Sequence, residues 1–294
     1  MPEAAPLRLH EDPALFREAV NYTAAETGFV TRLIEKDYFC TVLLQYLTGA
    51  GCGLVFKGGT CLAKVHAGFY RLSEDLDFSI PTPVAASRGA RSRVASKPKS
   101  VVAKIRERLP GVRIITALTG ASDSTQYTAA IGYTSLLSRQ EEIIKIEVGL
   151  REPLLTPAFP GEARTLLRDP VSGSPMAPVL TVPCLSRVEA MAEKLRAALS
   201  RREADIRDYY DIDHAVRRLD FRVLEPELVA LVREKLAVTG NDPVEVSPAR
   251  LAALRPQLES QLKAVLRAQD FAEFDLERAF ATVAEVAAAL GRIS

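Results

Sequence analysis

The stretch from residue 55 to residue 80, VFKGGTCLAKVHAGFYRLSEDLDFSI, constrains the possible fold of this chain most strongly. A short β-branched and aromatic run leads into Gly58-Gly59-Thr60. A segment of helical length follows, and a second apolar run contains Asp75 and Asp77. These patterns predict a strand, a tight turn, a helix and a second strand. Because side chains alternate between the two faces of a strand, we expect Asp75 and Asp77 to project from the same face.

This stretch combines two features that suit phosphate chemistry. Two carboxylates on one strand face form a candidate site for a divalent cation such as Mg²⁺. The backbone N–H groups that open a helix lack partners and carry partial positive charge, so a Gly-rich turn at that point can contact phosphate oxygens. Together the two features predict a site for Mg²⁺ and a nucleoside triphosphate (NTP), with Lys57 as a candidate to neutralise the triphosphate.

The composition narrows the class of protein. With 38 Lys and Arg against 37 Asp and Glu, the chain has no overall basic bias toward nucleic acid, so any such surface must be local. The four cysteines contain no C-x-x-C pair, and with three histidines they show no zinc-binding pattern, which predicts buried thiols in a reducing compartment. No stretch resembles a signal peptide or approaches the ~20 apolar residues of a membrane helix. We therefore expect a cytoplasmic protein without a membrane segment.

The remainder of the N-terminal part predicts an α+β fold with a mixed or mostly antiparallel sheet. Helices are predicted over 13–27 and 30–47, and strands over 54–56, 76–80, 112–118, 126–135 and 142–150. In the last strand the apolar residues share one face, while Lys145 and Glu147 share the other. Glu147 is therefore a candidate third carboxylate on the surface that carries the two aspartates; the alternative is an exposed Lys–Glu pair on an edge strand.

Residues 87–108 form a locally basic segment in which Glu107 is the only acid. The pattern predicts a mobile loop that continues into a helix. It is either a solvated helix face or a surface that binds the phosphates of a polyanion.

The C-terminal part predicts a helical lobe. Residues 152–185 are rich in proline and predict an irregular connector that contains the domain boundary, with a core lobe over 1–175 and a helical lobe over 176–294. Helices are predicted over 187–199, 204–219, 226–238, 248–268 and 271–290. Arg187, Lys194 and Arg201, each seven residues from the next, form a basic line along the flank of the first of them. Asp208 and Asp211 share a face of the second, where Arg207 is placed to form a surface ion pair with Asp211.

Several short motifs, taken in order, resemble one family. They are Glu35-Lys36-Asp37-Tyr38, Lys57-Gly58-Gly59-Thr60, Glu74-Asp75-Leu76-Asp77-Phe78, Lys145-Ile146-Glu147-Val148, Glu193-Lys194-Leu195-Arg196-Ala197 and Arg207-Asp208-Tyr209-Tyr210-Asp211-Ile212. This ordered set resembles the nucleotidyltransferase toxins of the AbiEii and MenT kind, from bacterial toxin–antitoxin and phage-defence systems.

The resemblance implies a polymerase-β-like nucleotidyltransferase core with a helical C-terminal lobe that completes the active-site cleft. It implies nucleotide transfer from an NTP to RNA, most specifically the 3′ acceptor end of tRNA, and a cognate antitoxin. Asp75 and Asp77 would hold Mg²⁺, Gly59 and Thr60 would contact the triphosphate, and Lys194 would bind phosphate. Asp208 and Asp211 fall at the family's second acidic motif.

Other readings of the same residues remain open. The acceptor could be a small molecule or a protein hydroxyl, or the chain could be a catalytically silent module that binds nucleotide or RNA. Ser73 lies two residues before Asp75, so a phosphate on it would place negative charge beside the metal carboxylates; a hydroxyl that caps a turn is the simpler interpretation.

Overall fold

A computed structural model of the chain describes residues 7–291 and divides the chain into two compact units between Leu185 and Ser186. The division falls ten residues after the predicted boundary at 175/176. The reason is that the last strand of the first unit ends at Cys184 and so keeps the end of the connector within that unit.

The first unit is built on one seven-stranded mixed sheet with the order β3-β4-β5-β2-β1-β7-β6. Its central strand β2 pairs in parallel with β5 and antiparallel with β1. The α+β fold with a mixed sheet is thereby confirmed. The strands are β1 Val55–Lys57, β2 Leu76–Ser79, β3 Val112–Ala121, β4 Gln126–Thr134, β5 Glu141–Gly149, β6 Phe159–Ala163 and β7 Leu180–Cys184.

The helices of the first unit precede β1, follow it, and lie between β2 and β3. The α-helices are α1 Pro13–Thr27, α2 Thr31–Gly49, α3 Gly58–Cys61, α4 Arg88–Val94, α5 Ser96–Ala103 and α6 Ile105–Arg108. Short 3₁₀ turns occupy Leu9–Glu11 and Ser122–Ser124, and α3 continues into a π-helical turn, Leu62–His66.

Local signals explain why α1 has its predicted bounds. The Asp12 carboxylate accepts hydrogen bonds from the N–H groups of Ala14 and Leu15, and Pro13 occupies the first turn, where its missing N–H costs nothing. Gly28 ends the helix in the left-handed conformation, with φ of 76°.

Helix α2 is the central helix of the first unit, and most of its length is buried. Phe39 stacks on Tyr133 of β4 with ring centroids 3.9 Å apart, and Tyr38 packs edge-on against Phe16 of α1. These aromatic contacts tie α1 and α2 to the sheet that carries the candidate site.

Two segments differ from the expectations. Residues 87–108 form helices α4 to α6, so the start of the basic segment is helical where the sequence predicts a mobile loop. Within 152–185, β6 and β7 are regular strands where the sequence predicts an irregular connector. Pro160 and Pro183 lie opposite each other in this pair. Because β6 is an edge strand, its proline removes no ladder bond from the interior of the sheet.

The second unit is helical, as predicted. Its α-helices are α7 Arg187–Ser200, α8 Ile206–Arg218, α9 Pro226–Ala237, α10 Pro248–Leu254, α11 Ala268–Glu273 and α12 Leu276–Gly291. The single helix predicted over 248–268 is instead α10 followed by a π-helical turn, Leu258–Leu262, and a 3₁₀ turn, Lys263–Val265. Helix α10 ends two residues before Pro256, which cannot continue the backbone hydrogen bonding.

Across residues 7–291, no helix has both the length and the apolar character needed to cross a bilayer.

Candidate active site

The predicted metal-binding aspartates lie at the centre of the sheet. Asp77 lies in β2, directly opposite Lys57 of β1 and Glu147 of β5. Asp75 immediately precedes β2, and its carboxylate accepts a hydrogen bond from the Lys145 N–H at 3.3 Å. Residues opposite each other on paired strands project from the same face. The sheet register therefore places Lys57, Asp77 and Glu147 side by side on one face.

Glu147 is not on an edge strand, because β5 lies between β4 and β2. The other part of that alternative holds, since Glu147 pairs with Lys145, whose side chain is half exposed. The Glu147 carboxylate accepts a hydrogen bond from Gln126 Nε2 at 2.9 Å and forms an ion pair with Lys145. This contact with Glu147, supported by the charges of Asp75 and Asp77, raises the pKa of Lys145. Lys145 is thus a half-exposed cation beside the acidic residues.

The carboxylates suit a hard cation by their chemistry. Asp75 and Asp77 supply oxygen ligands, which Mg²⁺ prefers over nitrogen or sulfur. Among the described residues, the two aspartates and Glu147 do not form a group whose ligand atoms all lie within 4.8 Å of one another. Asp75 and Asp77 remain the predicted metal ligands, and the Glu147 carboxylate contacts Gln126 and Lys145.

Gly58 brings the glycine turn, Gly58-Gly59-Thr60, into contact with Asp77. Its φ is +74°, a conformation that side chains rarely adopt. A Cβ built on Gly58 would lie 2.1 Å from Asp77 Oδ2 and 2.8 Å from Asp77 Cβ. The glycine is therefore needed twice, once for the backbone conformation and once to leave room for the carboxylate.

Gly59 has a similar close neighbour, Arg71. A Cβ on Gly59 would lie 2.4 Å from Arg71 Nη2 and 3.2 Å from Ser73 Oγ. Arg71 is 2% exposed and donates a hydrogen bond to the Leu72 carbonyl at 3.3 Å. The sequence reasoning missed this buried cation beside the turn, because a single arginine in a loop carries no pattern. Ser73, singled out for its place before Asp75, also borders the turn.

The loop before β2 is fixed by contacts on both sides. The Thr60 hydroxyl donates a hydrogen bond to the Asp75 carbonyl. Glu74 binds Lys36 at 2.6 Å and Arg32 at 2.7 Å. Burial opposes ionisation of Glu74, but these two cations hold its pKa below the ordinary value. The backbone that carries Asp75 is therefore tied both to the glycine turn and to α2.

The motif in α2 has a structural role. The Asp37 carboxylate accepts hydrogen bonds from Lys64 Nζ at 2.5 Å, from the Thr165 hydroxyl at 2.9 Å and from the Leu166 N–H at 2.9 Å. Both members of the Asp37–Lys64 pair are buried. Glu35, also buried, binds the Ser135 hydroxyl at 2.6 Å. The motif thus connects α2 to the helix after the glycine turn and to the β4–β5 connection.

In the second unit, Lys194, Asp208 and Asp211 form one ion cluster. Lys194 Nζ lies 2.8 Å from Asp208 Oδ1 and 2.8 Å from Asp211 Oδ2. Arg201 Nη1 lies 3.1 Å from Asp208 Oδ2. Both aspartates are 2% exposed. Lys194 and Arg201 of the basic line therefore contact Asp208 and Asp211, so that two positive charges balance two negative ones.

The ion pair expected between Arg207 and Asp211 is replaced by another. Arg207 binds Asp205, the residue that caps α8, through Nε at 3.0 Å and Nη2 at 2.8 Å. Asp211 faces inward toward Lys194 instead of lying on the surface. Arg207 binds Asp205, two residues earlier, in preference to Asp211, one helical turn later. The Asp205 carboxylate is already held beside Arg207, because it accepts a hydrogen bond from the Arg207 N–H at 2.9 Å.

The basic segment presents most of its cations to solvent. Arg88, Arg93 and Arg106 are exposed, whereas Arg91 donates to the Val84 carbonyl at 2.9 Å. Lys99 lies over the Tyr127 ring, 4.8 Å from its centroid. Part of the segment is therefore structural, and the rest is available to a polyanion.

Comparison with known proteins agrees with the motifs. The family described as the nucleotidyl transferase AbiEii toxin, of a type IV toxin–antitoxin system, matches residues 42–286. A search of curated proteins found no match.

Two solved structures are similar over most of their length. One is a provisionally named nucleotidyltransferase from H. pylori, with 16% identity and a TM-score of 0.46, covering 94% of this chain and 97% of that chain. The other is JHP933 from Helicobacter pylori, with 17% identity and a TM-score of 0.46, covering 95% of this chain and 94% of that chain. The family match spans well over half of the sequence and includes the glycine turn, Asp75, Asp77 and the Lys194 cluster, so the chain belongs to the AbiEii nucleotidyltransferase toxin family.

Proposed function

We propose that this protein transfers nucleotides from an NTP to RNA, most specifically the 3′ acceptor end of tRNA, in a Mg²⁺-dependent reaction that releases pyrophosphate and blocks translation. The observation that carries the proposal is the packing of the Asp77 carboxylate against Gly58, 2.1 Å from the position of a Cβ. This contact supports a site in which the group that holds the cation borders the turn that binds the phosphates.

The proposed reaction is an in-line displacement at phosphorus. A 3′ hydroxyl of the acceptor attacks the α-phosphorus, the bond to the β-phosphate oxygen breaks, and pyrophosphate leaves. Mg²⁺, when bound by Asp75 and Asp77, supplies neutralisation of negative charge on the attacking and leaving oxygens. The protein forms no covalent bond to the nucleotide, so positioning and electrostatics supply the rate enhancement.

The residues of the turn would bind the triphosphate. We assign the backbone N–H groups of Gly59 and Thr60 to its oxygens, since N–H groups in the first turn of a helix lack helical acceptors. Lys57, which shares a face with Asp77, would offset the triphosphate charge. Arg71, buried beside Gly59, adds a fixed positive charge next to this turn.

For the second unit we propose that Lys194 binds phosphate and that Asp208 and Asp211 position its ammonium group. The two contacts of 2.8 Å to these acids hold the Lys194 side chain in one orientation. Lys194→Met should lower transfer strongly, while Lys263→Met, which removes an exposed lysine of the same unit, should not. Full activity of Lys194→Met would contradict the assignment.

An RNA acceptor is supported by the exposed cations of α4 to α6. Such cations bind phosphates regardless of base sequence, because each contact releases condensed counterions. The family membership further implies a cognate antitoxin, and the substrates place the proposed activity in the cytoplasm.

The deciding experiment is label transfer. Purified protein is incubated with each of the four α-labelled NTPs, Mg²⁺ and total tRNA, and labelled RNA is sequenced at its 3′ end. We expect label on tRNA with the wild-type chain and loss of at least about 100-fold with Asp75→Asn or Asp77→Asn. Glu26→Gln, which neutralises an exposed acid of α1, is the matched control and should keep full activity.

The outcomes separate the alternatives. No transfer with any NTP, from a chain whose circular dichroism is native, would sink the proposal and favour a silent binding module. Label on protein or on a small molecule, with none on RNA, would retain the chemistry and replace the acceptor. If Asp77→Asn unfolds the chain, the aspartate is structural and its assignment as a metal ligand is wrong.

A further inference from the structure

Three residues outside the phosphate site form a compact cluster of soft ligands. Cys61, His66 and Cys184 each offer one ligand atom, and these atoms all lie within 4.8 Å of one another. Both cysteines are fully buried, and His66 is half-buried. The sequence shows no zinc-binding spacing here, because Cys184 lies more than a hundred residues from the other two.

The π-helical turn explains how Cys61 and His66 come together. In a regular α-helix, residues five apart are separated by about 140° around the axis and point in different directions. Here the Ala67 N–H donates to the Leu62 carbonyl, five residues earlier, at 2.8 Å. This wider turn brings side chains five apart toward the same side of the helix, and such turns are frequent at functional sites.

The third ligand comes from the sheet. Cys184 pairs with Phe56 across the parallel β1–β7 ladder, so it lies beside the strand that leads into the glycine turn. A Cβ on Gly161 of the neighbouring β6 would lie 2.4 Å from Cys184 Sγ. Gly161 therefore leaves the space that the sulfur occupies.

We propose that Cys61, His66 and Cys184 form a binding site for a thiophilic metal ion, with Zn²⁺ as its reference ligand. Two thiolates and one imidazole, with a fourth position open to water, are a known ligand set for zinc. Atoms bound to one zinc ion at about 2.0–2.3 Å lie about 3.5–4 Å apart in a tetrahedral arrangement. The separations of up to 4.8 Å therefore need only small inward movements of these side chains.

One backbone contact prepares the imidazole. His66 Nε2 lies 3.1 Å from the Leu185 carbonyl, and donation to that oxygen leaves the Nδ1 lone pair for a metal.

A metal at this position would fasten the glycine turn to the sheet. Cys61 ends the short helix that begins at Gly58, and Cys184 is the last residue of β7. The bound ion would join these two elements through their side chains, behind the face that carries Asp75 and Asp77. Its test does not depend on nucleotidyl transfer.

The test uses Co²⁺ as a spectroscopic probe for the zinc site. The full chain is reduced with a phosphine, freed of metal by a chelator and titrated with Co²⁺. We expect thiolate-to-cobalt charge-transfer bands that saturate at one equivalent, disappear on addition of Zn²⁺ and persist in excess Mg²⁺, because thiolates do not favour hard ions. Zn²⁺ should also raise the melting temperature of the wild-type chain.

The variants locate the site. Cys184→Ser and His66→Ala should each weaken Co²⁺ binding by at least about 100-fold. Loss of a residue that only hydrogen-bonds to a metal ligand costs up to about 100-fold in affinity, and loss of the ligand itself should cost no less. Cys52→Ser, which removes a buried cysteine outside the cluster, is the matched control. Because His66 is only half-buried, His66→Ala can still test the site if Cys184→Ser does not fold.

Several results would overturn the proposal. One is the absence of charge-transfer bands in the reduced wild-type chain, and another is bands of full intensity in a folded His66→Ala variant. A Cys61–Cys184 disulfide formed with peroxide, in a chain that binds no Co²⁺ when reduced, would identify a dithiol pair instead of a metal site. In that reaction two thiols lose two hydrogens and peroxide is reduced to water.

Discussion

Replacing Gly58 with alanine changes one methyl group at the junction of the two halves of the proposed site. The new Cβ would lie 2.1 Å from Asp77 Oδ2 and 2.8 Å from Asp77 Cβ, on a backbone whose φ is +74°. The carboxylate oxygen can rotate away, but the Asp77 Cβ is fixed by the central strand β2. The turn and the strand must therefore separate.

The expected effect on stability has two parts. A left-handed conformation costs a residue other than glycine about 1–2 kcal/mol. Forcing an extra methyl group into a packed contact costs about 1–3 kcal/mol more. The free energy of unfolding should thus fall by about 2–5 kcal/mol, and transfer should fall about 100-fold, because a displacement near 1 Å at a catalytic group has that effect.

Gly53→Ala is the matched control. Gly53 has nearly the same φ, +72°, but a Cβ there would meet no atom within 4 Å. It therefore incurs the conformational cost without the contact with Asp77. Urea unfolding gives the free energy of each variant, and label transfer from NTP to tRNA gives the activity of the folded fraction.

The comparison between the two alanine variants decides the question. We expect Gly58→Ala to be less stable than Gly53→Ala and to lose activity that Gly53→Ala keeps. Equal stability and equal activity in the two variants would refute the reasoning, because the close approach to Asp77 would then have no consequence.

Three further predictions concern packing, RNA binding and pH. Asp37→Asn leaves the buried Lys64 ammonium without its charged partner and should lower the free energy of unfolding by about 3–5 kcal/mol in urea; a loss below about 1 kcal/mol, typical of an exposed pair, would contradict this role. Arg88→Gln with Arg93→Gln should reduce the slope of log affinity for tRNA against log salt by about 0.7–0.9 for each phosphate that is no longer neutralised, and an unchanged slope would reject the polyanion surface. Burial lowers the pKa of His214 to about 4, below the ordinary 6.5 of the unfolded chain, so stability is full above pH 6.5 and falls as the pH drops toward 4. His214→Gln should make stability less dependent on pH. The urea midpoint of each chain is measured at pH 7 and pH 5, and an equal decrease in the wild-type and His214→Gln chains would disprove the prediction.

Local sequence signals predicted the regular elements well. Helix α1 has its predicted bounds because its cap, its first-turn proline and its terminal glycine all lie within a few residues of its ends. The sequence reasoning failed for β6 and β7, where prolines suppressed the strand signal and only pairing within the sheet produced regular structure. It also failed at Pro256, where one residue divided an otherwise helical pattern.

For the candidate site, the sequence by itself determined the glycine turn and the two-residue spacing of Asp75 and Asp77, a spacing that predicts a shared face wherever the backbone is extended. Only the tertiary structure placed Glu147 and Lys57 beside Asp77, through strand register, and Arg71 beside Gly59, through the burial of a loop. It also joined Cys61 and His66 to Cys184. Periodicity in a sequence reports the faces of single elements, whereas contacts between distant elements depend on how the whole sheet is ordered.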